Sequence, residues 1–242
     1  MWKYLNKPAV LEQVKFIFTN VLVRTGAYPG FYPCKAAAFH MLQQAAIPRA
    51  LASRILNMRP GDVCIDCGSH AGDITAIFRA LGATVYGFEP NTNLFVQQMQ
   101  RFRHDSGVTL INKAVWNQAA RLPLNALMMN GTPNLGGSSI LQIDETDMYQ
   151  QSVLQEEVEV IDLIPFVKDL TSRKRISILK LDVEGAEFDI LDSLLKECLH
   201  HQIDSIFCET HARFFADGNT RLENLRRRLA RENITNVYLD WL

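Results

Sequence analysis

The 242-residue chain carries 25 Lys and Arg against 26 Asp and Glu, a formal charge of -1 at pH 7. That length is enough to bury a sizeable core as one large domain, and the balanced charge lacks the basic surplus that drives phosphate-backbone binding, so no nucleic-acid partner is expected. The five cysteines (Cys34, Cys64, Cys67, Cys198, Cys208) are odd in number and lie mostly in apolar runs, which argues against a disulfide scaffold and for reduced thiols in a cytoplasmic protein.

At the start of the chain, Lys3 and Lys7 are followed by Pro8, Glu12 and Lys15, so no signal peptide is expected. The apolar stretch 16–23 is interrupted by Thr19 and Asn20 and is too short to span a bilayer. Residues 8–58 read as two or three helices broken around Tyr28-Pro29-Gly30-Phe31-Tyr32-Pro33 and near Pro48. This N-terminal helical extension, 1–58, carries no motif, and its apolar faces are expected to cover a substrate mouth or form an interface in a homo-oligomer.

From Val63 the texture changes to short apolar runs alternating with helical patterns, the sign of a parallel sheet covered on both faces. Strands are expected at 63–66, 84–88, 109–112, 176–181, 204–208 and 236–240. Helices are expected near 72–81, 91–103, 161–170, 186–199 and 219–232. The fold class is therefore α/β and Rossmann-like over 59–242, with a mostly parallel twisted sheet. The stretch 125–152, rich in Asn, Gly, Ser and Met, reads as a long loop of the kind that often forms a lid.

A buried strand at 63–66 runs into Asp66-Cys67-Gly68-Ser69-His70-Ala71-Gly72, a D-x-G-x-x-x-G pattern at a helix start. Glycines there permit close backbone approach, and the helix end offers unpaired N–H groups. The second strand ends in Phe88-Glu89-Pro90, where an α/β nucleotide fold puts the carboxylate that holds both ribose hydroxyls. His70 takes the place of the second glycine of a dinucleotide loop, and a P-loop lysine with its Ser/Thr neighbour is absent. A cofactor with ribose but no phosphate fits better, and S-adenosylmethionine is one. Asp66 and Glu89 as simple helix caps, and an NAD-type oxidoreductase on the same fold, stay open as alternatives. Cys64 and Cys67 form a C-x-x-C without a second half and read as small strand residues.

A distal block, Leu179-Lys180-Leu181-Asp182-Val183-Glu184-Gly185-Ala186-Glu187, follows in the order seen in FkbM-type methyltransferases. With it, Cys208-Glu209-Thr210-His211 resembles that family's E-x-H, and Gly136-Gly137-Ser138-Ser139 its small-residue loop. The resemblance covers roughly 61–211 and implies a class I methyltransferase fold, S-adenosylmethionine with S-adenosylhomocysteine as product, and O-methylation of a hydroxyl on a sugar, glycan or polyketide-like small molecule. Ser69-His70 departs from the family's usual Ala-Asn. The cofactor-facing set is then Asp66, Gly68, Ser69, His70, Gly72, Glu89, Pro90, Ala114 and Asp182.

Asp182 and Glu184 follow the fourth expected strand, and Glu209 and His211 follow the fifth, so the four side chains are expected to converge beside the transferred methyl. His211 is the natural general base, with Glu209 as its support and Glu184 next in line. The same cluster also suits a divalent cation that acidifies a diol. Glu187 is expected in the first turn of a helix, where a carboxylate favours the dipole. His211 as an idle loop residue, and the chain as a non-catalytic S-adenosylmethionine-binding partner of a glycosyltransferase or synthase, are the plainer readings. An Asn-Pro-Pro-Tyr type of sequence is absent after the fourth strand, which argues against a base amino-methyltransferase.

Overall fold

A six-stranded parallel sheet organises the structure, a computed structural model that describes residues 49–129, 132–144 and 150–239. The helices expected before residue 48, and Cys34, lie outside the described residues. Helix α1 (Arg49–Leu56) starts directly after Pro48. It is followed by β1 (Val63–Cys67), α2 (Asp73–Ala80), β2 (Thr84–Phe88), α3 (Thr92–Arg101) and β3 (Val108–Ile111). Then come β4 (Ala114–Trp116), β5 (Ala120–Met129), β6 (Thr132–Ser139) and β7 (Gln150–Asp162). The chain continues through α4 (Leu163–Thr171), β8 (Ile176–Leu181), α5 (Glu187–Lys196), β9 (Ile203–Cys208), α6 (Gly218–Arg231) and β10 (Val237–Tyr238).

The large sheet has the order β10-β9-β8-β1-β2-β3, so growth of the sheet reverses direction between β1 and β8. Every pairing between its described strands is parallel, and no antiparallel strand joins it among the described residues. All five residues of β1 are buried because both sheet faces are covered, and Asp66 alone interrupts its apolar run. One face packs Ile65, Leu179 and Ile206 against α4, α5 and α6. The other packs Cys64, Val85, Ile178 and Phe207 against α1 and α2. Cys64 and Cys67 thus point to opposite faces and cannot share a metal, as alternation along a strand requires. The four described cysteines are free thiols.

Local chemistry sets the helix starts. Asn91 caps α3 by accepting from the N–H groups of Asn93 and Leu94 at 3.0 and 3.1 Å. Asp162 ends β7 and caps α4 through the N–H of Ile164 at 2.9 Å.

The stretch 125–152 is not the expected long loop. Its described part is mostly strand, in a second, four-stranded sheet of order β4-β7-β5-β6. Strands β5 and β7 pair antiparallel from Ala120↔Val160 onward, and a small core of Ala114, Leu124, Ile140, Val158 and Val160 seals them. Asn, Gly and Ser are weak strand formers by themselves, so it is the partner strand and this buried face that impose the conformation.

Candidate active site

The loop leaving β1 crosses to β2, where Gly68 and Ser69 donate backbone N–H groups to the carbonyl of Phe88 at 3.0 and 2.9 Å. Two acceptors then fix the loop from the far side. The Glu89 carboxylate accepts from the N–H of His70 through one oxygen at 2.8 Å and from the N–H of Asn91 through the other at 2.9 Å. Gln98, fully buried on α3, accepts from the Ser69 hydroxyl at 3.0 Å and donates to the His70 carbonyl at 2.6 Å. Burial raises the Glu89 carboxyl to about 7, against the opposing pull of these N–H groups and of Lys180.

Lys180 ties the loop to the centre of the sheet. Its ammonium, 3% exposed, donates to the Gly68 carbonyl at 2.7 Å and pairs with Asp66 at 3.2 Å and Asp182 at 3.1 Å. Burial alone would lower its pKa, but the charges of Asp182 and Asp66 raise it instead. Asp66 has no exposed surface and also accepts from the Thr75 hydroxyl at 2.7 Å.

Past β8 the backbone turns sharply: Glu184 has φ 56° and Gly185 φ 118°. A non-glycine residue in the left-handed region costs energy and must be held there. Glu187 does the holding, accepting from the N–H of Val183 at 2.8 Å and of Gly185 at 2.9 Å, while the Ser139 hydroxyl donates to the Glu184 carbonyl at 2.6 Å. The same Glu187 carboxylate, fully buried, meets Nδ1 of His211 at 2.9 Å.

His211 is 1% exposed and stacks on Phe214. Its Nε2 faces Glu184 at 3.2 Å, Glu209 at 3.6 Å and Asp182 at 3.9 Å. Burial would lower the imidazole pKa, yet the Glu187 hydrogen bond and the surrounding carboxylates carry it up to about 9. Burial, then the charges of Asp182, Glu187 and Glu209, lifts the Glu184 carboxyl to about 7, with His211 opposing.

Glu89, Lys180, Asp182 and Glu184 border a cavity of about 290 Å³ at the carboxyl ends of β1, β2 and β8, beside the point where sheet growth reverses. Gly68, Ser69, His70, Glu89 and Pro90 line one part, and Asp182 and Glu184 line another. The second sheet supplies the facing wall through Ala114, Leu124 and Ser138.

The sequence profile of the family described as the methyltransferase FkbM domain matches residues 66–233, more than two thirds of the chain. The chain belongs to the FkbM methyltransferase domain family. Methyltransferase 1 of Beauveria bassiana (strain ARSEF 2860) is 28% identical over 147 residues, covering 54% of this chain and 57% of that relative. A solved structure, methyltransferase FkbM from Methylobacillus flagellatus KT, is 12% identical with a TM-score of 0.44, covering 88% of this chain and 52% of that one. The chain spans little more than half the length of either relative.

Three of the family blocks, widely separated in sequence, thus meet around one cavity, and the E-x-H block stands directly behind it. Eight of the expected site residues line it: Gly68, Ser69, His70, Glu89, Pro90, Ala114, Asp182 and Glu184. Asp66, Gly72, Glu209 and His211 are not lining residues. Asp66 lies beneath the loop, and His211 stands behind Glu184 and Asp182. Glu209 stands beside it, 3.6 Å from Nε2 and 3.7 Å from Arg213, and Glu187 joins it by holding Nδ1 at 2.9 Å. The expected helix-dipole role of Glu187 is joined by this closer duty. Sequence reasoning missed Lys180 and Gln98. Lys180 stood inside the family block, and its charge in an otherwise apolar strand was the available signal, since a buried lysine requires paired carboxylates.

Proposed function

We propose that the chain is an S-adenosylmethionine-dependent O-methyltransferase acting on a hydroxyl of a sugar, glycan or polyketide-like small molecule. The observation that carries this reading is that Glu89 and the Asp182–Glu184 pair border one cavity from opposite sides of β1. Glu89 is held by backbone N–H groups on both oxygens, and each oxygen keeps a lone pair for a ribose hydroxyl. A ribose bound there directs the rest of the cofactor along the loop toward Asp182 and Glu184.

When bound, S-adenosylmethionine supplies a methyl group on a sulfonium leaving group, so that the C–S bond breaks as the C–O bond forms and the acceptor hydroxyl gives up its proton. The protein's own contribution is to hold the acceptor oxygen in line and to favour loss of that proton. Glu184 is the member of the carboxylate–histidine cluster that reaches the cavity, and His211 supports it from behind.

Calorimetry on the full chain tests the reading. S-adenosylhomocysteine is expected to bind, NAD is not, and methyl transfer to a hydroxyl acceptor should fall by about a hundredfold or more in Glu184→Gln, the usual size of an acid–base contribution. Tight NAD binding with no response to S-adenosylhomocysteine would overturn it. S-adenosylhomocysteine binding without methyl transfer to any hydroxyl acceptor would favour the non-catalytic partner module.

A further inference from the structure

We propose that Asp182, Glu184 and Nε2 of His211 bind one divalent transition cation, manganese, iron(II) or zinc, whose open side faces the cavity. One ligand atom from each of the three residues lies within 4.8 Å of the other two. Nε2 is 3.2 Å from Glu184 and 3.9 Å from Asp182. Atoms bound about 2.0–2.2 Å from a common cation lie about 3 to 4.3 Å apart, so these spacings admit one ion between them.

The decisive feature is the orientation of the imidazole. Nδ1 meets the Glu187 carboxylate, whose two oxygens are also held by the N–H groups of Val183 and Gly185, so Nε2 is the ring atom turned toward the cluster. There it faces the carboxyl groups of Glu184, Glu209 and Asp182, three oxygen donors gathered around one nitrogen. A cation bound there would take the place of the proton that Nε2 shares with Glu184 at 3.2 Å, and would be met by the same ring of carboxyl groups. A carboxylate behind a ligating histidine is also the arrangement that fixes the tautomer at metal sites. Lys180 is not that cation, because its ammonium is engaged with Asp66, the Gly68 carbonyl and the other oxygen of Asp182.

One nitrogen and two carboxylates suit manganese, iron(II) or zinc better than the all-oxygen sets of calcium and magnesium. Asp182 and Glu184 line the cavity, so the remaining coordination positions open toward an acceptor. Resting on the methyl-transfer reading, this names the acceptor class as one that presents two adjacent oxygens, a vicinal diol or a hydroxyl beside a carbonyl. The bound oxygen is acidified by the cation before the methyl arrives.

The full chain, stripped with a chelator and dialysed, is titrated with manganese(II) and the free-ion paramagnetic resonance signal is followed. One saturable manganese per chain is expected, displaced by zinc. Glu184→Gln and Asp182→Asn should each weaken it tenfold or more, and Glu187→Gln by about ten- to a hundredfold. Melting curves and S-adenosylhomocysteine binding, measured on the same samples, separate lost fold or lost cofactor binding from lost metal binding. In the unmodified protein, manganese should broaden the His211 ring nitrogen resonances, which locates the ion without any substitution. A folded chain that binds S-adenosylhomocysteine but neither manganese nor zinc, or one whose metal leaves His211 unbroadened, overturns the proposal. Manganese binding that depends on Glu184 without any S-adenosylhomocysteine binding leaves the cation site standing and removes the methyl-transfer reading.

Discussion

At the scale of single residues, Gly68 and Glu89 show two ways a loop is committed to its site. A Cβ on Gly68 would sit 1.8 Å from the backbone oxygen of Asp182, and the residue has φ 75°. The glycine is required by the neighbouring strand end before any ligand arrives. Gly68→Ala is therefore expected to destabilise the fold itself, on the order of 3 kcal/mol or more, read from denaturant unfolding. An unchanged midpoint with lost ligand binding would return the glycine to a purely ligand-facing role. Glu89→Ala should leave the fold and weaken S-adenosylhomocysteine by about 1.5 to 3 kcal/mol in calorimetry. The raised Glu89 pKa also sets a pH window. Its folded value of about 7 lies above the ordinary carboxyl value of 4.5, so stability from this group is full at low pH and is lost as pH rises through 7. Only the ionised form accepts both ribose hydroxyls, so S-adenosylhomocysteine affinity should fall below pH 7, approaching about tenfold per unit. The thermal shift caused by the ligand should accordingly widen from pH 5 to pH 8, and a shift independent of pH would exclude Glu89 as the ribose carboxylate.

At the scale of elements, Lys180 joins β8, β1 and the loop that leaves β1 through one buried ammonium. Removing one partner of a buried pair leaves the other charge uncompensated, which costs about 3 to 5 kcal/mol. Lys180→Met should destabilise by that amount in urea unfolding, and adding Asp66→Asn should recover part of the loss, because the two sites are coupled. Additive effects would mean that the pair is not the linkage described. The second sheet acts at the same scale: Thr92 at the start of α3 donates to Glu156 on β7 at 2.8 Å, and Ser139 holds the Glu184 turn. The wall that the second sheet supplies is therefore strapped to both edges of the cavity.

At the scale of the whole molecule, residues 52–58 pack into the core beneath α2, and the cavity lining named above comes from residues 68–184. A chain beginning at residue 49 is expected to keep its melting temperature within a few degrees and to bind S-adenosylhomocysteine like the full chain. Turnover on an acceptor should fall if the leading segment covers the mouth, as its apolar pattern suggests. Loss of S-adenosylhomocysteine binding on truncation would place that segment in the cofactor site instead. Among the described residues no helix is long and apolar enough to cross a membrane.

The sequence by itself determined the six parallel strands and the five helices that follow Val63, because a strand buried on both faces must be a continuous apolar run and an amphipathic helix must repeat its apolar face. It also singled out the blocks Asp66–Gly72, Phe88–Pro90, Asp182–Glu187 and Glu209–His211, each of which stands at a strand end. What the tertiary structure decided is how those blocks face one another. The second sheet was not legible from 125–152, because its strands are stabilised by pairing and by a shared buried face, neither of which is a local property. The partner of His211 was not legible either. Glu187 and Glu209 are both within reach along the chain, and only the left-handed turn at Glu184 and Gly185 brings Glu187 under Nδ1 and leaves Nε2 among the carboxylates.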